Sequence, residues 1–448
     1  MTQRATMTTG RGFPKRLFCN PFFIASTATV LRLTPLFLAY RFKPWLVVGP
    51  STGGEVIQIA RSIASGNGFG NPVAGMTTGP TAWLCPVYPY IVAGAFKLAG
   101  IYTAESRLLL LVLNCVLAGL TVFPIYAIAR RTVGTTTAIC AAWMWVVLPV
   151  AWHVPLRLIW DSTLNALALA VLCWATLFMR GSRRRLPWAG YGAIWAIAAL
   201  TSASVLSLMP FFLGWLIWEL RQESLPWFKP VATAVLVFAL GLAPWTLRNY
   251  LVFRQFVLIR SNFGLVLWMG NHPGTSGFDV SLTPFGNSQP AAAYRRMGEI
   301  AFMAEQKRNA YAFIASHPGR TLASAVHNAW TFWIDVTDQK ANPWYGGHGY
   351  LNLRFLSNAA LLLLGLAGIF RLLRSHNPAA PLYLSVLVIF PLIYYLTRPA
   401  VRFRFAIEPV LTVLAAYGAV WIWNWIDQRN LQRGDVEGKT ETSSLYAG

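Results

Sequence analysis

The sequence predicts an all-α polytopic membrane protein, and three observations carry that expectation. Of its 448 residues, 56% are hydrophobic and only 12% are charged, where a soluble globular chain carries about 25% charged residues. Apolar runs of bilayer-spanning length, roughly 20 residues each, recur along most of the chain. The basic residues fall between those runs and not along one stripe, so the net charge of +22 reads as a topology signal and not as a nucleic-acid footprint. The 20 Trp and 16 Tyr suit aromatic belts at the two membrane interfaces.

Runs at 17–39, 106–129, 133–151, 159–179, 187–201, 203–220, 229–250, 351–372, 380–397 and 404–426 qualify as helices. They give an expected count of about 10 spans. The first run follows a basic stretch, lacks a small-residue cleavage site and contains Arg32, so a retained helix is expected there and not a signal peptide. The 187–201 run is short, and Thr201–Ser202 must form a tight hairpin. Arg11/Lys15/Arg16, Arg130/Arg131, Arg180/Arg183/Arg184/Arg185, Arg221, Arg371/Arg374 and Arg429/Arg433 then share one side, which the positive-inside rule makes cytoplasmic together with both termini.

Residues 40–105 and 251–350 lie outside on this count. The chain divides into a membrane module at 1–250 with the first outer loop at 40–105, an outer segment at 251–350, C-terminal helices at 351–426 and a polar tail at 427–448. The first outer loop is expected to carry juxtamembrane helices, and the tail to be disordered. An outer segment of about a hundred residues is too long for an idle loop. It opens "RNYLVFRQFVLIRSNFGLVLWMGNHPGTSGFDV", with apolar runs expected as strands or re-entrant pieces around a Gly/Asn/Pro turn. From 291 to 333 it reads as helical and amphipathic enough to lie on the membrane. No internal repeat is evident, which weakens a transporter built from repeated halves.

With only 15 acids in the chain, each can be weighed. Glu55 opens "GEVIQIARSIASG", a helical stretch with Ile57, Ala60 and Ile63/Ala64 on one face and Gly66 as the C-cap. A carboxylate there either complements the helix dipole or does chemistry. Asp161 follows "VPLRLIW" at the outer end of the fourth helix, where an acid is costly and needs a partner or a task. Arg157, one turn earlier, offers a plain ion pair. Arg248 ends the "APWTLRN" helix on the outer side, either as an interfacial anchor or as an anion ligand. Arg398, Arg402 and Arg404 gather on the same side against the positive-inside trend, and a local anion is the simpler cause. Arg32 either faces a cavity or snorkels to the interface. His272, His317, His327 and His348 show no metal-ligand spacing and read as loop or surface residues, and the five cysteines form no CxxC pair. No metal site, Walker loop or dinucleotide fingerprint is expected.

"GEVIQIARSIASGNGFGNP" followed by "GPTAWLCPVYPYIVAGAFKLAG" resembles the first outer loop of the GT-C membrane glycosyltransferases. The similarity is to the family 39-like type, which includes protein O-mannosyltransferases and lipid A aminoarabinose transferases. "APWTLRNYLVFRQFVLI" with "GNHP", "HPGRTL" with "TFW", and "VRFRFAIEPVLTVLAAYG" extend the resemblance over residues 17–426. There are departures. Gly54 precedes Glu55 where many relatives have a second acid, Cys85-Pro86-Val87-Tyr88 stands in place of Pro-Pro-x-Tyr, and no lysine lies between Arg61 and Lys97.

The resemblance implies sugar transfer from a polyprenyl-phosphate donor to a lipid, glycan or protein acceptor at the outer face of the membrane, with inversion by direct displacement, and the short, basic loops suggest a bacterial inner membrane. It implies Glu55 as the base, Asp161 as a second cavity acid, and Arg248, Arg402 and Arg404 on the donor phosphate. It implies no organic cofactor and leaves a divalent metal open. A lipid-linked glycan polymerase or ligase competes, but would not be expected to show the Glu55 loop. A transporter or scaffold also competes; a flippase needs ionisable groups through the bilayer centre, and the runs at 106–129, 133–151 and 351–372 have essentially none.

Overall fold

Bilayer-length apolar sequence must satisfy its own backbone hydrogen bonds, and helices do so within each segment. The computed structural model describes residues 17–42, 54–274, 280–285, 288–334 and 348–445. Helix α1 (Pro21–Phe42) is followed by α2 (Gly54–Ala64) and α3 (Val87–Ala99), the expected juxtamembrane helices of the first outer loop. Helices α4 (Ala104–Leu120) and α5 (Val122–Thr132) run on as one span. Helices α6 (Thr135–Val147) and α7 (Pro149–Arg157) meet at a 49° bend. Then come α8 (Ser162–Met179), α9 (Arg185–Thr201), α10 (Met209–Gln222) and α11 (Phe228–Phe253). The break at Ser202 is extended and leads into a 3₁₀ turn, Ala203–Leu208.

The second outer segment holds α12 (Phe263–Gly270), α13 (Ser288–Met297), α14 (Glu299–Ser316) and α15 (Pro318–Ile334). Strands expected near its start are absent among the described residues: the chain turns back through an extended piece into the short helix α12. The C-terminal part is α16 (His348–Arg374), α17 (Ala380–Leu396) and α18 (Glu408–Leu445). The helix α18 continues to Leu445, well into the segment that composition marked as disordered.

Every expected apolar run has a helical counterpart, yet the span count falls. Seven described helices are long and apolar enough to cross a bilayer, or eight with the bent α6–α7 pair as one span. Helices α9 and α17, with 17 residues each, fall just short. The chain is an integral membrane protein, and its helices approach closely where small residues permit. A Cβ on Gly368 would collide with the Leu414 carbonyl oxygen, and one on Gly418 with that of Leu364, so α16 and α18 cross backbone to backbone.

Arg32 occupies neither a cavity nor an interface. It is fully buried, and its guanidinium donates to the carbonyl oxygens of Ala28 (2.7 Å), Ala151 (2.7 Å) and Trp145 (3.0 Å). In a regular helix the Trp145 and Ala151 carbonyls would accept from residues 149 and 155. Both are prolines, which lack an N–H. Arg32 therefore supplies, from α1, the two donors that the bent α6–α7 pair has lost.

Candidate active site

The first outer loop is held in shape by its own polar groups. Gly66, at φ +84°, closes α2 as expected: Gly66 N–H donates to the Ile63 carbonyl and Asn67 N–H to that of Ser62, a Schellman ending that favours glycine. The chain then doubles back, with Gly70 and Pro80 bridged and the Asn71 Oδ1 accepting from the backbone N–H of Thr78 (2.8 Å) and Gly79 (2.9 Å).

Two clasps attach this loop to the second outer segment and to α11. Arg248 donates to the carbonyls of Thr81 (2.6 Å) and Phe69 (2.9 Å) while lying against the rings of Trp245 and Phe69. The buried Glu299 carboxylate accepts from Thr81 Oγ1, Ala82 N–H (2.8 Å), Ser261 Oγ (2.7 Å) and Tyr294 Oη (3.0 Å). Burial and that carboxylate push the Tyr294 phenol above its ordinary range, so it stays a donor. The rest of the "APWTLRN" stretch pins the returning chain: Trp245 Nε1 donates to Ile259, Thr246 Oγ1 to Leu258 and Asn249 Nδ2 to Val257. That pinned piece delivers Arg260 to the cavity.

The cavity has a volume of about 290 Å³ and is bounded by α2, the turn before α8, α12 and the segment after α17. Two acids line it, Glu55 and Asp161, with three guanidinium side chains, Arg260, Arg398 and Arg402. Trp83, Trp160, Phe285, Tyr394 and Phe403 form aromatic walls. The Arg402 guanidinium lies 4.1 Å over the Trp160 ring and 4.9 Å from that of Phe403, and its buried Nε has no hydrogen-bond partner among the described residues. The Oδ1 atoms of Asn165 and Asn262, both in buried residues, are likewise unpartnered. Such atoms suit a polar ligand or water that fills the space.

Asp161 precedes α8 and makes no side-chain cap. Burial pushes its carboxyl up to about 6, against the opposing pull of Arg402 and Arg260. The cations that act on it are therefore these two, and not Arg157. Glu55 reaches the same enclosure from the first turn of α2.

Of the five residues expected in the site, the structure brings Glu55, Asp161 and Arg402 together and leaves two outside. Arg248 is the loop clasp described above and does not line the cavity. Arg404 is buried, ion-paired to Glu408 at 2.9 Å and donating to the Trp333 carbonyl, so it ties α15 to α18. Their guanidiniums engage backbone carbonyls and a buried carboxylate. Arg398 joins the cavity, as its outer-side position suggested, and Arg260 joins it unannounced. Arg260 carries the same signal, a basic residue on the side where positive charge is not required. Asn165, Asn262 and Glu299 carry none that sequence can show. His272 is buried, with its Nδ1 2.8 Å from the Pro273 carbonyl, whereas His317 and His327 are exposed. Among the described residues no three His, Cys, Asp or Glu side chains gather as a metal site.

Residues 80–247 match the family "dolichyl-phosphate-mannose-protein mannosyltransferase". No curated protein matches the sequence significantly. Among solved structures, the oligosaccharyltransferase AglB from Archaeoglobus fulgidus, in complex with an inhibitory peptide and a dolichol-phosphate, superposes with a TM-score of 0.56 at 16% identity. That match covers 94% of this chain and 52% of AglB, so the chain spans about half the length of that relative. The apo form of an Archaeoglobus fulgidus oligosaccharyltransferase gives 0.52 at 14% identity, over 96% and 53% of the two chains. ArnT from Cupriavidus metallidurans bound to undecaprenyl phosphate gives 0.40 at 16% identity, over 87% and 77%. The chain thus shares the fold of these oligosaccharyltransferase structures, and residues 80–247 carry the protein-mannosyltransferase pattern.

Proposed function

We propose that the protein is a glycosyltransferase that moves a sugar from a polyprenyl-phosphate carrier to a lipid, glycan or protein acceptor at the outer face of a bacterial inner membrane, with its cavity facing the periplasm. The observation that carries this reading is the cavity itself: two carboxyl side chains meet three guanidiniums and aromatic walls in one enclosure among bilayer-length helices. The family match names a dolichyl-phosphate sugar, and the A. fulgidus relative was solved with a dolichol-phosphate, both in keeping with such a carrier.

Glu55 takes the proton of an acceptor hydroxyl as that oxygen attacks the anomeric carbon. The bond from that carbon to the phosphate oxygen breaks, and its electron pair leaves with the polyprenyl phosphate. Arg260, Arg398 and Arg402 offset the charge that grows on the departing phosphate. Attack opposite the phosphate inverts the anomeric centre. Asp161 lines the same cavity as Arg402 and Arg260 and is the second candidate acid.

The test is transfer from undecaprenyl-phosphate-linked hexose by the purified protein in liposomes supplied with membrane extract as acceptor. Glu55→Gln keeps size but cannot take the proton, so turnover should fall at least ~100-fold with the thermal transition unmoved. If Glu55 only complements the helix dipole, Gln would cost no more than about 1 kcal/mol of local stability and leave turnover near normal. Near-normal transfer would remove Glu55 from the chemistry and put Asp161 in its place.

A further inference from the structure

A second, smaller cleft lies beside the cavity on the same helix. It has a volume of about 270 Å³ and is lined by Gln58, Arg61, Ser62 and Ser65 of α2 and its ending, and by Asn71 and Thr77 of the doubled-back loop, among others. On α2 the buried apolar side chains Val56, Ile57, Ile59 and Ala60 take one side. Glu55, Gln58, Arg61 and Ser62 fall on the other, at the three- and four-residue spacing of a single helical face. Glu55 opens into the large cavity at one end of this stripe, and Gln58, about 4.5 Å along the axis, begins the cleft. The carboxylate in the cavity and the first residue of the cleft thus lie one turn apart on one face of α2.

The polarity of the cleft has a sign. The Gln58 Oε1 already accepts from the Tyr102 hydroxyl (3.3 Å), which leaves its amide nitrogen to donate. The Asn71 Oδ1 is taken by two backbone N–H groups, and the Asn71 Nδ2 donates to Ser62 Oγ (3.3 Å), leaving the Ser62 proton unclaimed. The exposed Arg61 lies over the Tyr102 ring at 5.9 Å. Among the described residues no acid lines the cleft. Its unclaimed groups are therefore mostly hydrogen-bond donors around one positive charge, which suits an oxygen-rich ligand with negative charge.

We infer that this cleft is the acceptor subsite, and that it takes a saccharide bearing a phosphoryl or carboxylate group, held by Arg61 and Gln58 so that one hydroxyl reaches Glu55. The inference rests on the reading of Glu55 as the base.

The experiment measures binding to the full chain in nanodiscs with four probes: glucose 6-phosphate, glucose, inorganic phosphate and undecaprenyl phosphate. Glucose 6-phosphate should bind at least ~10-fold tighter than either glucose or inorganic phosphate, and Arg61→Glu should remove that advantage. Undecaprenyl phosphate should keep its affinity within about twofold in Arg61→Glu, because Arg61 lies outside the large cavity. Gln58→Leu, which leaves the charge, should weaken glucose 6-phosphate alone. Equal binding of glucose 6-phosphate and glucose would overturn the anionic acceptor, and equal binding of inorganic phosphate would overturn the saccharide. Parallel loss of glucose 6-phosphate and undecaprenyl phosphate in Arg61→Glu would overturn the separate subsite. Failure of undecaprenyl phosphate to bind the unmodified protein would instead overturn the proposed function, with the glucose 6-phosphate result still deciding what the cleft holds.

Discussion

Asp161 shows how much a single residue's surroundings decide. A carboxyl group raised from 3.8 to about 6 binds a proton in the folded chain at pH values where the unfolded chain has released it. Stability therefore falls as pH rises between those two values and stays reduced above them. Asp161→Asn removes that penalty. The variant should unfold at a higher temperature than the parent at pH 7.5, by a free energy of at most about 3 kcal/mol, and should match it near pH 4. Thermal scans of both proteins across that range check the claim, and an equal offset at both pH values would dissociate Asp161 from the titration. The identity of Asp161 was legible in the sequence as a costly acid at membrane depth. Its partners were not: Arg157 is four residues away in the chain, whereas Arg402 and Arg260 arrive from segments far along it.

Among the elements, the bent α6–α7 pair is the most explicit. Pro149 and Pro155 each remove a helix donor, and Arg32 of α1 returns two. Arg32→Met should leave the Trp145 and Ala151 carbonyls without donors in a dry interior, at a cost on the order of 2–4 kcal/mol. Restoring the N–H groups with Pro149→Ala and Pro155→Ala should make the same Arg32→Met change markedly less costly. The coupling is read as a double-mutant cycle in thermal or denaturant unfolding, and additive effects would show that Arg32 does not serve those carbonyls. The motif stretch in α11 teaches a related lesson. Its Trp245, Thr246, Arg248 and Asn249 all serve backbone carbonyls, so the stretch braces the chain that leads to Arg260 in the cavity.

For the whole molecule the decisive prediction is sidedness. In a Cys19→Ser, Cys140→Ser background, which removes the exposed thiols, an Asn67→Cys probe should react with an impermeant maleimide from outside intact cells. A Ser375→Cys probe should react only after permeabilisation. Reversed labelling of either would place the cavity on the other face and defeat the proposed approach of a periplasmic acceptor. The ion pair of Arg180 with Glu219 joins the ends of α8 and α10, segments that the charge pattern assigns to one side.

Composition and run length by themselves determined that the chain is helical and membrane-embedded, because a bilayer admits few other ways to satisfy a backbone. Local pattern determined the ending of α2 at Gly66 and the break at Ser202, since each depends on residues within a few positions. Tertiary structure alone decided which charges meet. Arg248 and Arg404 carry the same sequence signal as Arg402, yet the first clasps loop carbonyls and the second pairs with Glu408, while only the third lines the cavity. A guanidinium finds its role from whatever oxygen lies within its reach after the helices have packed. For these residues the oxygens come from segments more than 60 positions away, as with Thr81 for Arg248 and Trp333 for Arg404, or from four residues along the chain, as with Glu408, and the sequence shows all of them alike.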